Sequence, residues 1–229
     1  DEQSDLLVQN TLSAILFGGS HRTVPESGGG WSWTDLRRMN TLLEYADMCE
    51  DKEAVTKYTA VTRFFRAFFY FEKVKRFGDV PWYEQVIGSE EEELLKKPRE
   101  DRGIIMDHVM NDLKNAIEML PREKDVARVT RWSALALKSR IALYEGTWRK
   151  YRNLPDADKY LQLAADAAST FISESGYSLY KEGTEPYRDL FCSDDAKQEE
   201  VILARIYKWR LGVMNERIEL PNFDKQQSE

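Results

Sequence analysis

The chain has 229 residues, 42% hydrophobic and 32% charged, enough length and apolar content for one large or two small core-forming units rather than a disordered polypeptide. Thirty-three Lys and Arg stand against forty Asp and Glu, for a net charge of -7, so the footprint of a nucleic-acid binder is missing. No stretch reaches the roughly 18 consecutive apolar residues that would suggest a membrane span.

The first thirty residues carry no helical period. A short apolar run, Thr11 to Phe17, reads as coil with one candidate strand, and Gly18, Gly19, Pro25 and the triplet Gly28, Gly29, Gly30 read as a flexible loop. From Thr34 the pattern turns helical. Leu36, Met39, Leu43 and Ala46 recur three or four apart, with Thr34 or Asp35 placed to cap the start. A longer helix is predicted from Asp51 to Phe77. Ala54, Tyr58, Val61, Phe65 and Phe68 share one face, Phe64, Phe71 and Val74 widen it, and Gly78 followed by Pro81 ends it. That density of aromatics predicts a helix contacted on more than one side.

The acidic run Glu90 to Glu93 reads as a solvated loop or helix face rather than a calcium site. Next comes a helix over Asp101 to Leu120, striped by Ile105, Val109, Leu113, Ala116 and Ile117 and stopped by Pro121. Thr130 caps a further helix that runs through Trp132, Leu135, Ala142 and Leu143 to Gly146, read as its terminator. Its partner runs from Asp156, after Pro155, to Ile172, with Gly176 beyond. Small residues face each other in this pair: Ala134, Ala136 and Ala142 on one helix, Ala164, Ala165, Ala167 and Ala168 on the other. Close antiparallel packing follows. After Gly176, Tyr177 to Tyr180 and Val201 to Tyr207 read as short strands between polar loops.

These elements predict an all-α fold, a tetratricopeptide-like right-handed array of helix pairs with irregular loops and few short strands. The connection from Gly146 to Pro155 is too long for a regular 34-residue repeat, so the array has variable connections. Three regions result: a loop-rich segment over 1–33, a helical core over 34–176 and an irregular segment over 177–229.

Little in the sequence speaks for bond chemistry. Cys49 and Cys192 cannot make a CxxC site, and His21 and His108 lack the spacing that puts two imidazoles on one helical face. Phosphate-loop, dinucleotide and nucleophile-elbow patterns are absent as written. A hydrolytic triad would rest on His21 or His108 by elimination, and forty acids guarantee chance carboxylate pairs. No catalytic residue, metal ligand or cofactor is assigned, and no enzyme activity is expected.

Aromatic content is the unusual feature: six Trp, eleven Tyr and ten Phe. Those inside periodic helices read as core. Trp31 and Trp33 stand on a loop beside three glycines, where an indole has few partners to bury against and offers a flat apolar surface to a sugar ring. The competing reading makes either one a staple between the loop and Leu36 or Tyr58. Trp82 and Tyr83, after Pro81, are second candidates for ligand binding, and Trp148 and Tyr151, read as lying on the loop after Gly146, are weighed with them.

Four segments resemble the SusD/RagB family of nutrient-binding outer-membrane lipoproteins. WTDLRRMN at Trp33 to Asn40 is similar to an aromatic followed by a Leu-Arg-Arg-x-Asn helix, and AVTRFFRAFFYFEKVKRFGDVP at Ala60 to Pro81 is close to the family's most recognisable stretch. PRED at Pro98 to Asp101 leads into a similar helix, and RVTRWSALALKSRIALYEG at Arg128 to Gly146 resembles the next. The resemblance covers Trp31 to Tyr207. It implies a surface-exposed, lipid-anchored outer-membrane protein that captures an oligosaccharide or other nutrient and delivers it to a SusC-like TonB-dependent transporter. Family members run about twice this length, which implies a chain trimmed at both ends, with its lipid anchor and second half elsewhere. The alternative is a tetratricopeptide-like interaction scaffold that presents a peptide groove and has no sugar site.

Overall fold

A computed structural model describes residue 26 and residues 28–193 and 195–206. The expected strand within Thr11 to Phe17 and the end of the segment reaching Tyr207 lie outside the described residues. Among the described residues seven α-helices follow in order: α1 (Thr34–Tyr45), α2 (Lys52–Phe77), α3 (Glu92–Leu95), α4 (Arg102–Met119), α5 (Arg131–Tyr151), α6 (Ala157–Glu174) and α7 (Pro186–Cys192). Helix α1 packs on α2, α2 on α4, α4 on α5 and α5 on α6, so each long helix lies against the next in sequence. This is the all-α, tetratricopeptide-like architecture. Among the described residues no strand forms. Val80 and Glu100 make one isolated antiparallel bridge, and Tyr177 to Tyr180 run extended without pairing as a strand, tied to the following segment by Ser178 N–H to Glu199 O at 2.9 Å.

Caps set the helix starts. Asp51 accepts from Ala54 N–H at 3.0 Å to open α2, Asp101 accepts from Gly103 N–H at 2.7 Å to open α4, and Thr130 and Ser133 form a reciprocal capping box on α5. Helix α1 departs from expectation. Trp33 holds the N-cap position with no side-chain cap, so neither Thr34 nor Asp35 caps it, and Ala46 falls in a following 3-10 turn, Ala46–Met48. At the end of α2, Gly78 takes φ 71°, which favours glycine, and its N–H reaches Val74 O at 2.9 Å.

Helix α2 has two apolar faces, and the structure reverses their expected roles. The core takes Ala60, Phe64, Ala67, Tyr70, Phe71 and Val74. The face read as primary is the outer one: Tyr58, Phe65 and Phe68 are 55%, 44% and 43% exposed. A hydrophobic period locates stripes but does not rank two of them, because burial depends on which neighbours arrive.

Gly146 is a second correction. It sits inside α5, which continues another turn to Tyr151, and is buried there. A Cβ at this position would lie 2.8 Å from Leu161 Cγ and 2.9 Å from the Leu161 backbone nitrogen, so glycine is what lets α5 and α6 approach. Trp148 and Tyr151 therefore lie on a helix, not a loop. The Trp148 ring is covered by the guanidiniums of Arg102 at 4.1 Å and Arg152 at 3.3 Å.

Two buried carboxylates brace the array, each between two arginines. Asp112 on α4 receives Arg66 through Nε at 2.7 Å and Nη2 at 2.8 Å, and Arg63 at 3.0 Å. Glu145 on α5 receives Arg102 from α4 at 2.6 and 2.9 Å and Arg149 from its own helix at 2.8 Å. Removing one member would leave a buried charge uncompensated, which costs several times what the intact pair contributes.

Candidate functional site

A cleft of about 470 Å³ opens where the glycine turn, the start of α1 and the segment after α2 converge. Trp31, Trp33 and Tyr83 supply its rings. Thr34, Arg37 and Asn40 come from α1, Gln85 and Ile87 from the segment beyond Tyr83, and Leu95 and Lys97 from the end of α3 and just past it.

The glycine turn delivers the two indoles. Gly28, Gly29 and Gly30 all have positive φ, and Trp31 N–H closes the turn on Gly28 O at 3.0 Å. Lys73 on α2 donates to Gly30 O and lies 5.4 Å from the Trp33 ring centre. Burial lowers the Lys73 pKa from its ordinary value, and Arg76 adds to the effect. The two indoles meet edge to face at 5.1 Å. Trp31 also abuts Phe77 at 4.7 Å, and Trp33 abuts Phe69 at 5.8 Å and Tyr83 at 5.7 Å. Edge-to-face packing fixes the rings in place before any ligand arrives. Trp31 remains 37% exposed, and Trp33 and Tyr83 are half-buried.

Tyr83 is held from below. Asn40, only 1% exposed, donates from Nδ2 to Tyr83 O at 2.9 Å and to Gln85 O at 3.2 Å, and accepts from Arg66 at 3.3 Å. Tyr83 N–H donates to the Tyr70 hydroxyl at 2.7 Å. Burial raises the pKa of both phenols, so each remains protonated at neutral pH. One polar chain, Asp112–Arg66–Asn40–Tyr83, thus runs from α4 through α2 and α1 to the cleft floor.

Trp82 does not belong to this cleft. It is 6% exposed, stacked on His108 at 4.5 Å with 7° between planes, and 4.2 Å from the Tyr70 ring, with Arg66 5.2 Å away. The two residues after Pro81 point to opposite sides of an extended segment, so Trp82 goes into the core and Tyr83 to the cleft. Of the four candidate ligand residues, the structure brings together Trp31, Trp33 and Tyr83.

The sequence reading missed Thr34, Arg37, Gln85, Ile87 and Lys97 as lining residues. A signal existed for two of the cleft's α1 residues: Trp33, Arg37 and Asn40 are spaced i, i+4, i+7, so an indole facing the cleft carries Arg37 and Asn40 toward it. Lys97 had none, since it reaches the cleft through a short helix and a turn.

Among the described residues no helix is long and apolar enough to cross a membrane, and no cluster of three or more potential metal ligands occurs. Fold and site together define a helical scaffold with an aromatic cleft at one end of α1. Residues 32–143 match the SusD-like family model described as "Starch-binding associating with outer membrane", and the chain is similar to members of that family. A SusD-like protein of Formosa agariphila is 27% identical over 180 residues, covering 75% of this chain and 31% of its own length. Among solved structures, a SusD-like protein from Bacteroides fragilis superposes with a TM-score of 0.56 at 28% identity, over 68% of this chain and 28% of that one. A structure obtained with xylogluco-oligosaccharide gives 0.62 at 24% identity, over 79% and 35% respectively, a likeness of fold. The chain spans about a third of the length of such relatives.

Proposed function

We propose that the cleft lined by Trp31, Trp33 and Tyr83 binds an oligosaccharide, and that the whole protein captures this nutrient at the cell surface. On this reading an N-terminal lipid anchor holds the protein to the outer membrane, and the bound glycan passes to a SusC-like TonB-dependent transporter. The role is capture and delivery, without bond cleavage.

The observation that carries the reading is the convergence of three prepositioned aromatic rings with Thr34 and Gln85 in one open cleft. Sugar rings present apolar C–H faces and a girdle of hydroxyls. Flat aromatic surfaces take the first, and a few fixed polar groups take the second. Burying roughly 80 Å² of ring and sugar face at about 25 cal/mol/Å² contributes about 2 kcal/mol per stacked ring.

Isothermal titration across plant, host and microbial oligosaccharides tests the proposal. Binding of one class, weakened about thirtyfold by Trp33→Ala, is the expected outcome. The tetratricopeptide-like scaffold reading is favoured by a different observation, the exposed outer face of α2. There Tyr58 and Phe65 border a groove of about 720 Å³ with Leu203 opposite. Peptide or protein binding that survives Trp33→Ala, with no glycan bound, would select that reading instead.

A further inference from the structure

The cleft's aromatic faces attract cations and do not by themselves favour an anionic sugar, so any preference for one rests on the charged side chains around them. In a chain with forty acids and thirty-three bases, an average surface carries more carboxylates than cations. No Asp or Glu lines the cleft among the described residues, and its two charged lining side chains are Arg37 and Lys97. Lys97 is already engaged, 2.6 Å from Glu100 and donating to Trp82 O at 3.0 Å. Arg37 is exposed and forms no ion pair among the described residues, whereas its neighbour Arg38 is paired with Asp35 at 3.1 Å. Arg99 also forms no ion pair there, and its guanidinium lies over the Trp31 ring at 4.8 Å. Two guanidiniums without an ion-pair partner among the described residues therefore stand beside the rings, Arg37 in the cleft lining and Arg99 over the Trp31 ring.

We propose that the cleft selects an anionic oligosaccharide, one bearing carboxylate or sulfate-ester groups, with Arg37 and Arg99 taking the negative groups while sugar faces contact Trp33 and Tyr83. The inference rests on the sugar-binding reading of the same cleft. Guanidinium suits the task, because its planar fork donates two parallel hydrogen bonds to a carboxylate or sulfate. The chain's overall negative charge does not oppose this. At physiological ionic strength the screening length is about 8 Å, so the cations within the cleft govern what an entering anion meets.

The test is titration calorimetry on the full chain with three galactose-based oligosaccharides of equal length: neutral, uronate and sulfate-ester. The expected result is binding roughly tenfold tighter for an anionic probe than for the neutral one, the size of one charge-assisted contact at a partly solvated site. The uronate and sulfate arms identify which group is read. Raising salt from about 50 to about 500 mM should weaken the anionic probe and leave the neutral one unchanged. Arg37→Gln with Arg99→Gln should bring the anionic and neutral probes to equal affinity, while Arg38→Gln should keep the preference. Both arginines are exposed, and a circular-dichroism melt confirms that the variants fold. Equal affinity for all three probes, or a preference that survives the double variant, overturns the inference and leaves sugar binding standing. If no oligosaccharide of any class binds, the sugar-binding reading itself falls.

Discussion

Replacing Asn40 by alanine tests whether the buried polar chain holds the cleft together. Asn40 is 1% exposed and makes three hydrogen bonds: to Tyr83 O at 2.9 Å, to Gln85 O at 3.2 Å and from Arg66 Nη1 at 3.3 Å. After truncation Tyr83 O keeps a longer bond from the Tyr70 hydroxyl, at 3.3 Å. Gln85 O and Arg66 Nη1 lose the partner that Asn40 gives them. The buried Arg66 Nη1 left without a partner costs about 1–3 kcal/mol and the lost bond to Gln85 O, on an exposed residue, about 1, so Asn40→Ala should destabilise by roughly 2–4 kcal/mol. For a chain of this size that lowers Tm by about 5–15 °C. Calorimetry or urea denaturation reads the stability, and titration with a bound oligosaccharide reads the cleft. Ligand affinity should fall as well, although Asn40 lies under the rings, because the segment carrying Tyr83 and Gln85 loses its anchor. A loss of less than about 0.5 kcal/mol with affinity intact would refute the account of Asn40 as the tie between α1 and the cleft floor.

Gly146→Ala sets helix propensity against packing. Propensity alone predicts a gain of about 1 kcal/mol. The new Cβ, however, would meet the Leu161 backbone nitrogen at 2.9 Å, and α6 must move away from α5. Net destabilisation by about 1–3 kcal/mol is expected in urea denaturation, and a stabilised variant would show that the two helices do not approach this closely. The carboxyl of Glu100 gives a prediction in pH. Burial works to raise its pKa, but the Lys97 ammonium, the Trp82 N–H bond at 2.9 Å and neighbouring His108 outweigh it and hold the pKa below 4.5. A depressed folded-state value stabilises the fold above the unfolded pKa, and the contribution is lost as pH falls through the folded value. Wild type should therefore exceed Glu100→Gln in urea midpoint at neutral pH, and the gap should close on acidification below about pH 4.5. A gap that is constant with pH would remove the ion pair from the explanation.

The helices were legible because their signals are local. The cap at Thr130, the stop at Pro121 and the stripe Ile105, Val109, Leu113 and Ala116 are each decided within one or two turns of chain. What sequence did not yield depends on partners distant along the chain. Gly146 has the look of a terminator, and only the arrival of Leu161 from the next helix explains it as a contact point. Helix α2 carries apolar residues on both its outer and inner faces, and the packing of α4 decides which is buried. Trp82 and Tyr83 are adjacent aromatics after a proline, and their separation into core and cleft follows from alternation along an extended segment whose orientation is set by Asn40 and Tyr70.

The segments that resemble a family most strongly bear on the site indirectly. Asn40 of WTDLRRMN, Arg63 and Arg66 of the long aromatic segment and Asp112 of the following helix are buried or half-buried, and together they form the chain of hydrogen bonds beneath Tyr83. Arg102 and Glu145 form a second brace between α4 and α5. A side chain in such a network is constrained by several partners at once, because replacing it strands buried charge. The cleft's exposed lining faces no such constraint: Arg37 has no ion-pair partner among the described residues, and Trp31 is partly free. On the proposed sugar-binding reading, substituting an exposed lining side chain such as Arg37 would change what the cleft accepts at less cost to the fold than a change in the buried network. If the proposed sugar-binding reading holds, the same scaffold could carry different ligand preferences, with Arg37, Arg99 and the rings around them, rather than the motif residues, as the positions that set them.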